Sequence, residues 1–196
     1  MTIGPIAHPW WVNLLVLVPP LAWFSWRRGG VHVSVRQLVI SGVFAASFGF
    51  MEAVVVVYLR AAVGLLPGYQ GTLSDVIRMS GDFYRQSQAI SQFPESLLTL
   101  EVLREAATIL MLLSVALLTS TKSRARAAVF LWTFAIWDIV YYAALWVTVR
   151  WPLSLRDPDI LFLIPVPWLS PVWFPLLVSA LALAAVLLVR VTPSKS

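Results

Sequence analysis

The chain has no cysteine and only two histidines in 196 residues. Without cysteine there is no disulfide, no thiol nucleophile and no iron–sulfur or thiolate zinc site, and the redox compartment is left open. His8 and His32 fall outside the apolar stretches on opposite sides, so they share no metal ion. A dinuclear carboxylate centre would want Glu-x-x-His on two helices, and that pattern is missing. Charge is scarce as well: Asp, Glu, Lys and Arg make up 12% against 60% hydrophobic residues, with a mean hydropathy of +0.84. No soluble domain of this size buries that much apolar surface, so the composition describes a membrane protein. Phosphate-binding glycine loops, internal repeats and low-complexity tracts are absent. No intramembrane histidine stands ready to activate a serine, so Ser41, Ser47, Ser114 and Ser179 read as small packing residues. No metal is expected, and no cofactor is identified.

What is present is apolar sequence in helical lengths. Five spans are expected, at about 10–26, 38–59, 97–118, 127–149 and 172–189, giving an all-α polytopic transmembrane bundle over residues 1–196 as one domain. Stretches of about twenty residues cross a hydrocarbon core of roughly 30 Å. The first is interrupted by Pro19 and Pro20 and reads as kinked. No basic residue precedes it, so it lacks the start of a cleavable signal peptide and reads as retained. The last apolar region, 160–189, crowds Pro165, Pro167, Pro171 and Pro175 toward its start. It divides into a proline-rich interfacial or re-entrant piece, with neighbours or water satisfying its backbone, and the fifth span.

The charges sort by side. Arg27, Arg28, Arg36, Lys122, Arg124, Arg126, Arg190 and Lys195 share one side with no acid beside them. On the other, Arg60, Arg78, Arg85, Arg150 and Arg156 balance Asp75, Asp82, Glu95, Asp157 and Asp159. The rest, Glu52, Glu101, Arg104, Glu105 and Asp138, lie within or at the rim of spans and sum to −3, recovering the net +5. Basic loops stay cytoplasmic, which puts the N-terminus outside and the C-terminus inside. The positive charge is therefore an orientation signal and not a sign of nucleic-acid binding. Trp10, Trp11, Trp146, Trp151, Trp168 and Trp173 fall at the outer interface, and Trp23, Trp26 and Trp132 at the inner one. Trp137, near mid-span, needs a packing or functional reason. The one long outer connection, 63–96, carries a helical apolar period over 73–90, as either a surface-resting connector or a lid.

Ionised groups in hydrocarbon cost several kcal/mol, so acids within spans face the bundle interior and often mark function. Glu52 follows Ser41, Ala45 and Gly49, and Ala53 continues that series of small residues, a face suited to close helix contact. Glu101 and Glu105 share a helix face, with Arg104 alongside and Thr108 one turn on. Two such carboxylates repel when both ionise, so one holds a proton unless Arg104 or a cation neutralises the pair. Asp138 precedes Tyr141 and Tyr142 at spacings that let a phenol flank it. All four acids lie at or above mid-membrane on the outer side, and Asp157 and Asp159 are placed to approach the same mouth. Plainer readings stand beside this one: Glu101 and Arg104 as an ion pair near a helix end, and Glu52 or Asp138 paired with Arg104 to lock helices together.

The segments Leu100-Glu101-Val102-Leu103-Arg104-Glu105-Ala106-Ala107-Thr108, Trp137-Asp138-Ile139-Val140-Tyr141-Tyr142 and the stretch 159–168 resemble parts of uncharacterised bacterial polytopic membrane proteins. That resemblance covers about half the chain and implies a bacterial inner-membrane location, with no activity attached. The expected function is a polar, outward-facing intramembrane pocket. Glu52, Glu101, Glu105 and Asp138 are its acid/base candidates, and Arg104, Trp137, Tyr141 and Tyr142 would contact a lipid-like or isoprenoid substrate. A proton- or cation-coupled carrier and a non-catalytic subunit pairing its charges with a membrane partner are the alternatives. The bilayer itself is the one partner the composition demands.

Overall fold

The computed structural model describes residues 6–64 and 95–189; the expected amphipathic segment 73–90 lies outside them. A 3-10 helix, Trp10–Leu17, runs directly into α1, Val18–Trp26. The long helices α2, Val35–Gly64, α3, Glu95–Thr119, and α4, Ser123–Val149, follow. Two short strands, β1, Pro158–Ile160, and β2, Leu169–Pro171, precede α5, Trp173–Leu187. Three helices are long and apolar enough to cross a membrane, over Val35–Tyr58, Thr99–Thr119 and Ser123–Val149. Trp10–Trp26 and Trp173–Leu187 are shorter apolar helices.

Local chemistry explains the boundaries. Ser34 and Gln37 form a reciprocal cap at the start of α2: the Ser34 N–H donates to Gln37 Oε1 at 2.8 Å and the Gln37 N–H to Ser34 Oγ at 3.1 Å. Gln37 Nε2 also donates to the Thr119 carbonyl at 2.8 Å, tying the start of α2 to the end of α3. α4 stops at Arg150, which takes a left-handed conformation with φ 54°, and Pro152 bars its continuation. Pro19 and Pro20 occupy the first turn of α1, where a missing N–H costs no helical bond. The break in the first apolar stretch is thus the 3-10 to α junction at Leu17 and Val18, not a kink inside an α-helix.

α4 is the hub. α2 packs along it most extensively, α5 and α3 also lie against it, and α2 and α3 touch each other only sparingly. Ser41, Ala45, Gly49 and Ala53 form the α2 face turned to α4, all buried. A Cβ on Gly49 would run into the Trp137 carbonyl, so backbones meet there at a distance only glycine permits. One end of the bundle is closed by Trp26, Leu38, Ala116, Ala125 and Val186. This end carries Arg27, Arg28, Arg36, Lys122, Arg124 and Arg126.

The proline-rich segment closes the opposite end as a hairpin. β1 and β2 pair antiparallel, with Asp159 opposite Ser170, and Leu161 and Phe162 continue the ladder to Trp168. His8 adds a third extended piece, exchanging two backbone bonds of 2.8 and 2.7 Å with Leu169. Strand pairing therefore satisfies much of this backbone, and a neighbouring helix takes one N–H of the tip, that of Leu163, through Glu105. Trp10 and Trp146 are exposed. Trp151 is not a belt residue: it is 2% exposed, packed in the core with Tyr142, Leu145 and Val149.

Candidate functional site

The hairpin end gathers the acids. Thr99 begins the apolar stretch of α3, and six residues on, at 1.5 Å each, put Glu105 about 9 Å below it. Tyr142 and Asp138 lie about 10 and 16 Å below the end of α4 at Val149 by the same arithmetic.

Three side chains bridge α2 and α3 where the helices themselves scarcely meet. The Arg104 guanidinium is bidentate to Glu101, through Nε at 3.0 Å and through Nη2, and its Nη1 donates to Glu52. The Thr108 hydroxyl donates to the other Glu52 oxygen at 2.5 Å. Glu52, only 5% exposed, thus has both oxygens occupied. Spacing of three residues on α3 lets Arg104 fold back on Glu101, and the small face of α2 brings Glu52 within its reach.

Glu105 turns elsewhere, though it shares the Glu101 face. Its Oε2 accepts the Leu163 N–H at 2.8 Å, so the hairpin tip is anchored to an acid inside the bundle. Asp138 accepts from Ser179 of α5 at 2.7 Å, not from Arg104. The Tyr142 hydroxyl donates to Asp159 of β1 at 2.8 Å. The phenol expected to flank Asp138 is therefore engaged by another acid, and Asp138 lies within electrostatic reach of Tyr142 and Asp159. Asp157 does not join them: its Oδ2 accepts the Leu153 and Ser154 N–H groups at 2.8 and 2.9 Å in the turn after α4.

Tyr141 and Trp137 link the two polar groups. Tyr141 lies within electrostatic reach of Arg104, stacks on Trp137 at 6.1 Å and meets Tyr142 edge-on at 5.1 Å. Trp137 packs with Ala45 of α2, Leu112 of α3 and Phe162 of the hairpin, which is the packing reason for a tryptophan at mid-span. Sequence reasoning missed Ser179 and Thr108 as carboxylate donors, and missed Phe162 and Leu163. Ser179 had a signal, as a hydroxyl in the middle of an apolar helix. Phe162 and Leu163 had none, because the hairpin fold alone brings them there.

In the interior of this end, among the described residues, five acids (Glu52, Glu101, Glu105, Asp138 and Asp159) accompany one base, Arg104. Among those residues no three His, Cys, Asp or Glu side chains converge closely enough to hold a metal ion. No family model, no curated protein and no solved structure matches this chain.

Proposed function

We propose that the chain is a five-span protein of a bacterial inner membrane, with the N-terminus outside, the basic end cytoplasmic and the hairpin re-entrant at the outer mouth. The first span is supported by its geometry. A 3-10 helix rises about 2.0 Å per residue and an α-helix about 1.5 Å, so Trp10–Leu17 and Val18–Trp26 together reach about 29 Å, close to the thickness of the hydrocarbon core. α5 is shorter, and the hairpin above it supplies the missing depth.

The proposed function is acid/base chemistry on an amphipathic, lipid-like molecule, with Glu105 and Asp138 exchanging protons and Trp137 and Tyr141 holding the substrate. One observation carries it: the acid surplus around Arg104. Uncompensated charge is costly in a low dielectric, so protons or a bound cation must balance the remaining carboxylates. Glu52 and Glu101 are committed to Arg104, whereas Glu105 and Asp138 each hold one neutral donor, which leaves those two open to exchange.

The test is to incubate the purified protein with a total bacterial lipid extract and compare lipid profiles by mass spectrometry. The expected result is a product that appears with the wild type and is lost in both E105Q and D138N. An unchanged profile, together with a proton current in liposomes, overturns the enzymatic reading in favour of a proton- or cation-coupled carrier.

A further inference from the structure

Among the described residues, two indole N–H groups, those of Trp137 and Trp168, are buried without a hydrogen-bond partner. Trp137 is itself 7% exposed. Buried donors are normally satisfied, and each exception calls for a reason. Both rings pack on the same side chain: Phe162 lies 6.4 Å from the Trp137 ring and 5.4 Å from the Trp168 ring, centroid to centroid. Phe162 thus touches both tryptophans whose indole N–H groups lack a partner, and its side chain carries no oxygen or nitrogen to accept from them. It is half-buried, on a hairpin tip held to α3 through the bond from Leu163 to Glu105.

We propose that this aromatic cluster is the head-group site for an isoprenoid quinone, whose flat ring replaces Phe162 between Trp137 and Trp168 and accepts hydrogen bonds from both indoles. The inference rests on the lipid-like substrate of the preceding reading and names its class. Three features select the head. Two unsatisfied donors call for a group that accepts. Arg104, the one interior base at this end among the described residues, is committed to Glu52 and Glu101, which leaves no cation to pair with a phosphate or carboxylate head. The aromatic surroundings favour a flat ring, set with its carbonyl edge toward the indole N–H groups as Phe162 is tilted against both rings.

The tail has a path as well. Phe130, Phe134, Trp137 and Tyr141 recur on one face of α4 in a continuous ladder with centroid spacings of 6.2, 5.5 and 6.1 Å. From Phe130 to Tyr141 is about 16 Å at 1.5 Å per residue, roughly half of a 30 Å hydrocarbon core. Phe44 and Phe48 of α2 flank the same cluster. Where α2 and α3 touch only sparingly, this strip gives an apolar chain a bed leading away from the carboxylates.

The experiment uses the full chain in phosphatidylcholine nanodiscs with its indole nitrogens labelled with 15N, the Trp137 and Trp168 signals being assigned through W137F and W168F. A ubiquinone with a two-isoprene tail is titrated in, with geranylgeraniol as a tail without the ring. The expected result is saturable ubiquinone binding that moves both indole N–H resonances. Loss of one hydrogen bond in W137F or W168F weakens binding by about fivefold to tenfold. F162A, which vacates the space, tightens it. Stationary indole resonances at saturation overturn the proposal, as does geranylgeraniol binding as tightly with the same shifts, or an F162A chain that binds more weakly. If W137F fails to fold, W168F and F162A decide. None of these outcomes depends on lipid turnover, so a failure here is distinct from failure of the enzymatic reading.

Discussion

Arg104 of α3 donates to Glu52 of α2 across a seam where the two helices otherwise have little contact. Each helix is held mainly by α4, and the charged bridge spans the opening between them. A guanidinium with two carboxylate partners in an apolar interior fixes which faces of α2 and α3 point inward.

Removing one partner of that bridge leaves the other buried and uncompensated. R104M is expected to destabilise the protein by about 3 kcal/mol, and the double variant E52Q/R104M to recover more than half of that loss. Unfolding by dodecyl sulfate in mixed micelles measures both. Equal losses in the single and double variants would show that the bridge is incidental.

Gly49 and Gly42 lie on the same helix and meet different neighbours. A Cβ at Gly49 strikes the Trp137 backbone, which has no room to move, whereas at Gly42 it meets the Ile136 Cδ1 and the Trp132 Nε1, each at 3.2 Å. G49A is expected to cost about 2 kcal/mol by forcing the helices apart, and G42A distinctly less. The same unfolding assay ranks them, and a reversed order would contradict the observed α2 to α4 register.

Ser179 is the hydroxyl donor to Asp138. S179A is expected to lower stability by about 1 kcal/mol, since the acid loses its partner in an apolar interior. S179T keeps a hydroxyl and is expected to lose less. If D138N also erases the difference between Ser and Ala at position 179 in a double-variant cycle, the coupling is direct.

Tyr142 holds β1 through Asp159. Y142F is expected to loosen the hairpin before the bundle, because it cuts a bond between the two and none within α4. Hydrogen exchange by mass spectrometry checks this: faster exchange at Leu161 and Trp168, with α4 amides unchanged, is the expected pattern. Uniform exchange across both would assign Tyr142 to the bundle core alone.

Orientation is open to a direct check. A fluorescent protein fused after Ser196 is expected to fluoresce, and alkaline phosphatase fused there is expected to be inactive, because the basic end is proposed to face the cytoplasm. The opposite pair of results would invert the topology and move the acid cluster to the inner leaflet.

Much of the architecture was legible from apolar length and the rarity of charge. The three membrane-length helices fall on expected spans, and the small-residue series from Ser41 to Ala53 faces its neighbour. Side-chain spacing also located the Glu101, Arg104 and Thr108 face, because residues three and four apart on a helix must lie together. Partners on other elements were not legible. Glu105 and Glu101 share a face yet bond to different elements, and Asp138 met Ser179 and not a tyrosine of its own helix.

Composition and helical period by themselves determined a helical membrane chain with acids turned inward, because hydrocarbon tolerates neither open backbone nor stray charge. Which acid met which donor was decided only by the tertiary structure. Those contacts depend on how closely α2 approaches α4 at Gly49, and on a hairpin whose strand pairing carries Phe162 and Leu163 into the bundle, distances that no local pattern encodes.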